Sequence, residues 1–276
     1  MDANSIKPQA HWVEVSGREH ARLATEEVGS GPAFVWGHSL LGRMAQDRAG
    51  GVLAWRELAD VARVIRFDAR GHGQSESFGA PEDFRWDELA RSMWQVADSY
   101  TDEGVVLGGA SMGCATALHA ACQRPEQVRA LILVTPPTAW QWRENRRRGY
   151  RVTANVVKFT HGLPLRLMGL LRIKRSSNFQ KNMLSSLAGH LARAKTEGVV
   201  GAQRGASLSE FPPREELTRL DLPVLILAWP GDATHPLAVA EELQKTLPNA
   251  QHEVMTHPSD PYRLPQLVRE FMMSLD

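Results

Sequence analysis

The chain alternates short apolar runs with longer amphipathic stretches. Residues 12–15 and 20–25 switch between apolar and polar positions, which predicts two half-exposed strands on either side of a Ser16-Gly17 turn. A short strand is also predicted at 252–255. Five other runs are rich in β-branched residues and bounded by glycine or charge, as is typical of strands buried on both faces. These runs are 33–36, 64–67, 105–107, 131–134 and 224–227.

Amphipathic stretches of helical length fill the gaps between the runs. They cover 53–62, 86–100, 112–124, 237–247 and 264–275. The repeated order of strand, helix and strand predicts right-handed crossovers and an α/β fold, in which a mostly parallel sheet carries helices on both faces. Because the chain opens with an alternating pair that favours antiparallel pairing, the sheet is expected to be mixed.

Residues 137–208 interrupt this order with helical patterning and no convincing strand. The segment holds fourteen Lys or Arg residues against two Glu, although the whole chain has a net charge of +1. An insertion of such different charge between two strands predicts a helical cap over the carboxyl edge of the sheet, where open α/β sheets bind ligands. The expected organisation is a core of residues 1–136 and 209–276 with a cap, or lid, of residues 137–208.

Composition narrows the class of protein. The 276 residues are 43% hydrophobic and contain no apolar run of about 18 residues, so no membrane anchor is expected. The net charge of +1 is too small for a protein held to nucleic acid by bulk charge. Cys114 and Cys122 are the only cysteines, which excludes a disulfide framework, and the first residues lack a signal-peptide core. A cytoplasmic location is therefore expected.

One motif carries nucleophile chemistry. The run Gly109-Ala110-Ser111-Met112-Gly113 follows a predicted strand and precedes a predicted helix, which places Gly-x-Ser-x-Gly at a strand-to-helix turn. A serine on a sharp turn projects its hydroxyl from the sheet, and the flanking glycines have no side chains that would clash where backbone segments pack closely. The helix that begins there aims free N–H groups and its positive dipole end at a developing oxyanion. Ser111 is therefore a candidate nucleophile, and a turn with a capping serine is the alternative.

A serine nucleophile needs a base, and the base needs an orienting acid. Asp232 follows the strand at 224–227 and His257 follows the strand at 252–255, so both can reach the sheet edge that holds Ser111. Asp232 is expected to be the acid and His257 the base. His235 lies three residues after Asp232, a spacing expected to be too tight to span acid and serine, which predicts a loop-ordering or surface role. Asp260, close to His257, is an alternative acid.

Over essentially its whole length, the chain resembles the α/β-hydrolase family. Four landmarks carry the resemblance: the run from Gly37 to Gly42 (GHSLLG), the run from Asp68 to Ser75 (DARGHGQS), the Ser111 turn, and the Gly231-Asp232…Pro236 and His257 pair. The Asp-x-Arg-Gly-His-Gly-x-Ser run is a highly specific marker of this family, and the chain order Ser…Asp…His is the family's order. The resemblance implies a mixed sheet of the eight-stranded type, into which a helical cap is inserted.

The resemblance also implies a role for each site residue. It implies Ser111 as nucleophile, Asp232 as orienting acid and His257 as base, with the N–H groups of Met112 and Leu40 as the oxyanion hole. Asp68 would stabilise its loop rather than react. The chain departs from many relatives at His38-Ser39, where they have His-Gly. In having a serine at this position, the chain is similar to the enol-lactonase and related branches of the family.

Two interpretations stay open for the side chains of the predicted cap. Its apolar residues line an acyl pocket or form the cap's own core: Trp140, Trp142 and Met168, with Leu167, Leu170 and Leu171. Its basic residues form a solvated face or attract an anionic substrate, a carrier protein or a membrane surface: Arg146, Arg147, Arg148, Arg151, Arg172, Lys174 and Arg175. The two cysteines lie eight residues apart on one predicted helix and are expected to pack as small apolar residues.

Together these residues predict a hydrolase that cleaves a carboxylic ester or lactone through an acyl-enzyme. The expected partner is a small-molecule acyl substrate, and the basic cap is compatible with an anionic one. No metal or organic cofactor is expected. Carbon–carbon bond hydrolysis, thioester hydrolysis and acyl transfer would use the same residues under a different cap and stay open. A non-catalytic binding protein with the same fold is a second class, and the complete set of triad residues argues against it.

Overall fold

A single mixed sheet organises the molecule. The computed structural model describes residues 9–17, 20–45, 55–168, 192–257 and 259–275. Within them, eight strands are joined in the order β1-β2-β4-β3-β5-β6-β7-β8. The strands are β1 (Gln9–Val15), β2 (Ala21–Val28), β3 (Ala33–Gly37), β4 (Arg63–Phe67), β5 (Val105–Ala110), β6 (Val128–Val134), β7 (Pro223–Ala228) and β8 (Asn249–Val254).

Strand direction follows the hydrophobic pattern. The alternating strands β1 and β2 pair antiparallel, and β2 also pairs antiparallel with β4. The pairs from β4 through β3, β5, β6 and β7 to β8 are all parallel. Every residue of β3 and β5 is buried, as expected where helices cover both faces of a parallel sheet. The predicted mixed, mostly parallel α/β sheet is therefore confirmed.

Helices cover the two faces of the sheet. The helices of the described residues are α1 (Trp86–Asp98), α2 (Met112–Gln123), α3 (Glu144–Phe159), α4 (Leu163–Met168), α5 (Thr196–Leu208), α6 (Arg214–Leu217), α7 (Leu237–Thr246) and α8 (Leu264–Met273). On one face α1, α2 and α7 pack against alternate strand residues such as Leu107 and Leu131. On the other face α8 packs against the intervening residues, such as Val106 and Ile132. The period of two along each strand thus builds two cores.

One predicted helix differs in the structure. Over the predicted span 53–62, the described residues hold a single 3₁₀ turn at Trp55–Leu58, and residues 53 and 54 lie outside the described part. Trp55 and Leu58 are both buried, three residues apart, which is the spacing that a 3₁₀ turn brings to one side. The turn therefore buries two large side chains before the chain enters β4.

Helices occupy the described part of the segment between β6 and β7. Here α3 packs against α5, and α4 lies between them in the chain. The buried Arg143 side chain fastens the two ends of this segment, because it donates hydrogen bonds to the carbonyl groups of Thr138, Ala206 and Ser209. We call residues 137–208 the insert. Among the described helices, none is long and apolar enough to cross a membrane.

Candidate active site

Ser111 sits on a strained turn between β5 and α2. Its backbone has φ 52° and ψ −110°, an unusual conformation for a residue with a side chain. The turn is held by the Ser111 N–H, which donates to the Val134 carbonyl at 3.0 Å, and by the N–H of Cys114, which donates to the Ser111 carbonyl at 2.9 Å. Ser111 is 7% exposed, so its hydroxyl lies at the carboxyl edge of the sheet with little access for solvent.

Two glycines of the turn are required by close backbone contacts. A Cβ atom on Gly113 would lie 2.0 Å from the carbonyl oxygen of Gly37, and a Cβ atom on Gly109 would lie 2.4 Å from the carbonyl carbon of Gly113. Real Cβ atoms essentially never approach other atoms so closely. The Gly-x-Ser-x-Gly spacing therefore lets the first turn of α2 pack directly against the end of β3.

The histidine that contacts Ser111 is His235. Its Nε2 atom lies 2.8 Å from Ser111 Oγ, and its Nδ1 atom lies 2.7 Å from Asp232 Oδ2. The His235 and Asp232 side chains are 15% and 21% exposed, so the pair is shielded from most solvent. Asp232, His235 and Ser111 thus form one continuous chain of hydrogen bonds, with the imidazole between the carboxylate and the hydroxyl.

Asp232 also folds the loop that brings His235 into place. Its Oδ1 atom accepts the backbone N–H of Thr234 at 2.7 Å and that of His235 at 3.3 Å. Burial alone would raise the pKa of Asp232, but the His235 ring and these N–H groups outweigh burial and hold its pKa at about 2. Asp232 is therefore ionised at neutral pH, and an ionised carboxylate only accepts hydrogen bonds. The proton shared with it must lie on His235 Nδ1, which leaves Nε2 free to accept from Ser111.

His257 does not occupy the position predicted for the base. Its Nδ1 atom bonds Ser259 Oγ at 2.7 Å, and its backbone N–H donates to Asp260 Oδ2 at 2.8 Å. In the described part of the chain, no hydrogen bond joins His257 to Ser111 or Asp232. The expectation that three residues are too few for His235 to span acid and serine is wrong, because the two nitrogens point to opposite sides of one ring. The histidine that the geometry places between Ser111 and Asp232 is therefore His235, and Asp260 accepts the His257 N–H within a turn.

Two backbone N–H groups remain available where an oxyanion hole was predicted. Met112 is the first residue of α2, and no acceptor bonds its N–H within the described residues. The same holds, among those residues, for the N–H of Leu40. The loop after β3 turns sharply here, because Gly42 N–H donates to the Ser39 carbonyl at 2.8 Å and Leu41 has φ 63°. Free donors at a helix N-terminus and a tight turn suit a developing negative charge.

Two buried histidines brace the loop that carries Leu40. His38 Nε2 accepts the N–H of Ala69 at 3.0 Å, and His72 Nε2 accepts the N–H of Leu41 at 3.2 Å. The two rings lie 4.8 Å apart. Burial lowers the pKa of His38 to about 4 and that of His72 to about 3, so both rings are neutral at pH 7 and able to accept. Each loop thus supplies a histidine that binds the backbone of the other.

The second family landmark is held by Asp68. Its two carboxylate oxygens accept the N–H groups of Met44 at 2.8 Å and Gln74 at 2.9 Å. A Cβ atom on Gly73 would lie 1.9 Å from Asp68 Oδ2, so a glycine is needed beside this carboxylate. These contacts agree with the loop-stabilising role expected of Asp68.

The aromatic residues proposed to contact substrate pack against the protein. The Trp140 ring lies 5.5 Å from the Phe211 ring, and the Arg214 guanidinium stacks 4.2 Å from the Trp140 centroid. Trp142 is partly buried against the same core. These contacts favour the packing interpretation, and a substrate contact for either residue stays a prediction. The Met168 side chain, Leu170 and Leu171 lie outside the described part of the structure.

The basic residues of the insert have different surroundings. Arg147 pairs with Glu210, and the exposed Arg148 lies 3.6 Å from Glu144. Arg146 donates from Nη2 to Thr234 Oγ1 at 2.6 Å, one residue from His235. The sequence interpretation treats this run as a single surface and does not foresee that Arg146 contacts the loop that carries Asp232. Three other predicted basic residues lie outside the described part: Arg172, Lys174 and Arg175.

The described residues contain no group of three or more His, Cys, Asp or Glu side chains that could hold a metal ion. The two cysteines are free thiols, and burial raises the pKa of both Cys114 and Cys122. Cys114 lies at the start of α2, where its Sγ contacts the carbonyl groups of Gly109 and Val134. The thiols are therefore poorly suited to nucleophilic chemistry.

Comparisons with known proteins show the fold family of the chain. A family model for the alpha/beta hydrolase fold matches residues 48–259. The chain is 25% identical over 252 residues to 3-oxoadipate enol-lactonase 1 of Acinetobacter baylyi, covering 90% of each chain. It is 27% identical over 254 residues to the pimeloyl-(acyl-carrier protein) methyl ester esterase of Nitrosomonas europaea, covering 86% of this chain and 92% of that protein.

Among solved structures, a thermophilic esterase from Thermogutta terrifontis with bound malate resembles this chain with a TM-score of 0.78. The two chains are 24% identical, and the match covers 97% of this chain and 99% of the esterase. At this identity, the likeness concerns the fold alone.

Proposed function

Because the chain belongs to the α/β-hydrolase fold family, we propose that it is a serine hydrolase that cleaves a carboxylic ester or lactone through an acyl-enzyme. The observation that carries the proposal is the hydrogen-bonded chain from Asp232 through His235 to Ser111, with distances of 2.7 and 2.8 Å. Two relatives named for an enol-lactone and a methyl ester support ester hydrolysis in general. The triad is therefore proposed as Ser111, His235 and Asp232.

In the first half of the reaction, His235 Nε2 takes the proton of the Ser111 hydroxyl as Oγ attacks the carbonyl carbon. The imidazolium formed is stabilised by Asp232, which is already hydrogen-bonded to Nδ1. When the tetrahedral intermediate collapses, the imidazolium gives its proton to the leaving alkoxide. In a lactone this alkoxide stays attached to the acyl group, and in an open ester it departs as an alcohol.

The negative charge that develops on the carbonyl oxygen needs donors at fixed positions. We assign this role to the N–H groups of Met112 and Leu40, which have no acceptor among the described residues. One such donor contributes about 3–4 kcal/mol to transition-state stabilisation in measured cases. In the second half of the reaction, His235 deprotonates a water molecule that attacks the acyl carbon, and Ser111 leaves with the proton.

We assign the insert the role of a cap that covers the sheet edge and selects the substrate. Its excess of Lys and Arg supports a small-molecule substrate that carries negative charge. The free thiols of Cys114 and Cys122 support a reducing compartment, in agreement with the predicted cytoplasmic location. That location, the division into core and cap, and the expectation that no cofactor is required stay predictions.

A fluorophosphonate probe tests the proposal directly, since it reacts with activated serine nucleophiles. We expect covalent labelling of the wild-type protein and none of Ser111→Ala, whose hydroxyl is absent. Release of acid or alcohol is then measured with a panel of esters and lactones, each offered as a neutral and an anionic form, beside thioesters and a carbon–carbon substrate. A wild-type protein that neither reacts with the probe nor cleaves any ester or lactone would show that the proposal is wrong.

A further inference from the structure

The loop that carries Asp232 and His235 is fastened to the insert through Thr234. The Thr234 N–H donates to Asp232 Oδ1 at 2.7 Å, which keeps the residue within the acid's own turn. Its carbonyl oxygen accepts the Thr138 N–H at 3.2 Å, and its hydroxyl oxygen accepts from Arg146 Nη2 at 2.6 Å. Two of the three polar groups of Thr234 are therefore held by residues of the insert, directly beside His235.

The insert residues that bind Thr234 are themselves well supported. Thr138 is 3% exposed, and its carbonyl accepts from Arg143 Nη1 at 3.3 Å. The Arg143 guanidinium also stacks 4.0 Å from the Trp86 ring centroid and donates to the carbonyl of Ser209, the residue directly after the insert. Arg146 lies in the first turn of α3, where its N–H donates to the Arg143 carbonyl at 3.0 Å. Thr234 is thus attached to a part of the insert that is itself held by several hydrogen bonds.

This attachment bears on the base because acid and base share one short turn. Any shift of Thr234 is passed through a single peptide to His235, whose Nε2 must stay within hydrogen-bond distance of Ser111 Oγ. A displacement of about 1 Å in a reacting group can cost about 100-fold in rate. The position of the insert therefore affects the position of the base.

We propose that Arg146 and Thr234 are positioning residues, through which the insert sets the position of His235 relative to Ser111. The inference rests on the proposed function, since it assigns a task to two residues that do not touch the reacting atoms. Arg146 holds the Thr234 hydroxyl, Thr234 holds the turn of Asp232, and the turn holds the imidazole.

A direct contact with substrate is the competing role for Arg146. Within the described residues no carboxylate lies within 4.0 Å of its guanidinium, so its charge could also bind an acidic substrate. The two roles differ in their kinetics. Positioning of the base acts on kcat for any substrate, whereas binding of an anion acts on KM for anionic substrates alone.

The test measures kcat and KM for a neutral p-nitrophenyl ester, with the rate of fluorophosphonate labelling as a second readout. Arg146→Met and Thr234→Val are each expected to lower kcat and the labelling rate about tenfold or more with little change in KM. Thr234→Ser keeps a hydroxyl and is expected to restore most of the rate. Arg148→Met, an exposed neighbour on the same helix, serves as the matched control and should match the wild type.

The double variant Arg146→Met/Thr234→Val separates the outcomes further. If Arg146 acts through Thr234, the double variant loses no more rate than the worse single variant. Fully multiplied losses, a change confined to KM, or a wild-type labelling rate in Arg146→Met would each overturn the inference. Failure of the proposed function is distinguishable, because the wild-type protein would then not be labelled at all. Should Arg146→Met not fold, the Val and Ser variants of Thr234 still decide the question.

Discussion

His235 Nε2 lies 2.8 Å from Ser111 Oγ, although 124 residues separate the two along the chain. The same ring reaches back to Asp232, which is only three residues away. The proposed acid and the proposed base thus lie on one turn after β7, whereas the sequence predicts a base in the loop after β8. The proposed chemistry depends on this turn, and the following predictions test the arrangement.

Replacement of His235 and replacement of His257 should have different effects on kcat. His235→Ala removes the side chain that, within the described residues, links Ser111 to Asp232, and we expect kcat to fall by about 10³-fold or more. His257→Ala removes an exposed ring bonded to Ser259 and should keep nearly the wild-type rate. Steady-state kinetics on one ester, with unfolding midpoints for both variants, checks the pair. If His257→Ala lost turnover and His235→Ala did not, His257 would be the base, as the sequence predicts.

Asp232→Asn should separate the structural and chemical roles of this side chain. The amide oxygen can still accept the N–H groups of Thr234 and His235, so the turn should form. The amide NH₂ would then face Nδ1 and favour the tautomer that carries its proton on Nε2, which cannot take a proton from Ser111. We expect kcat to fall by about 10³- to 10⁴-fold with little loss of stability. An activity close to the wild-type value would remove Asp232 from the mechanism.

Acid should destabilise the protein through His38 and His72. Their pKa values fall from 6.5 in the unfolded chain to about 4 and about 3 in the folded chain, mainly because of burial. Between these values the unfolded state binds more protons, so the free energy of unfolding decreases as the pH falls below about 6.5, by about 1.4 kcal/mol per pH unit for each histidine. Denaturant titrations at a series of pH values measure this slope.

His72→Gln supplies the control for that slope. A glutamine oxygen can accept the Leu41 N–H but does not titrate. The free energy of unfolding of this variant should therefore depend less steeply on pH, and the difference in slope should correspond to about one proton. An unchanged dependence of stability on pH would mean that His72 titrates normally in the folded protein.

Two glycines provide a matched pair for stability. A Cβ atom on Gly113 would lie 2.0 Å from the Gly37 carbonyl oxygen, so Gly113→Ala should cost at least about 3 kcal/mol or prevent folding. Gly149 lies within α3 with no atom within 4 Å of an added Cβ, and Gly149→Ala should stabilise the protein by about 0.5–1 kcal/mol. Urea unfolding checks both. Equal effects would contradict the close contact of β3 with α2.

The parts of the fold that could be predicted are those with a local cause. Runs such as 105–107 are apolar and β-branched because β5 is buried on both faces, and the alternation at 12–15 reflects the half-exposed edge strand β1. The turn at Ser111 was predictable because glycine is needed wherever backbones meet so closely. Such constraints are satisfied within a few residues of sequence and therefore leave a readable pattern.

Spacing along the sequence does not reveal the proposed base, His235, because contacts within the folded turn set its position. Asp232 accepts two backbone N–H groups and turns the chain back on itself, so that a residue three positions later faces the acid. The available signal was the Asp-x-Thr-His-Pro run, since aspartate commonly binds the backbone two residues on. The contact between Arg146 and Thr234 joins residues 88 apart and has no local signature.

The turn after β7 also has a genetic consequence. Four consecutive codons, from Asp232 to His235, specify both the proposed acid and the proposed base, so a recombination event outside them transfers the pair whole or not at all. A chimera joined after Pro236 could take β8 and α8 from a different parent and keep its own proton-transfer pair. In families where the base follows β8, the same junction would bring in a foreign base. Gene shuffling at this point should therefore yield a larger share of active progeny here than in such relatives.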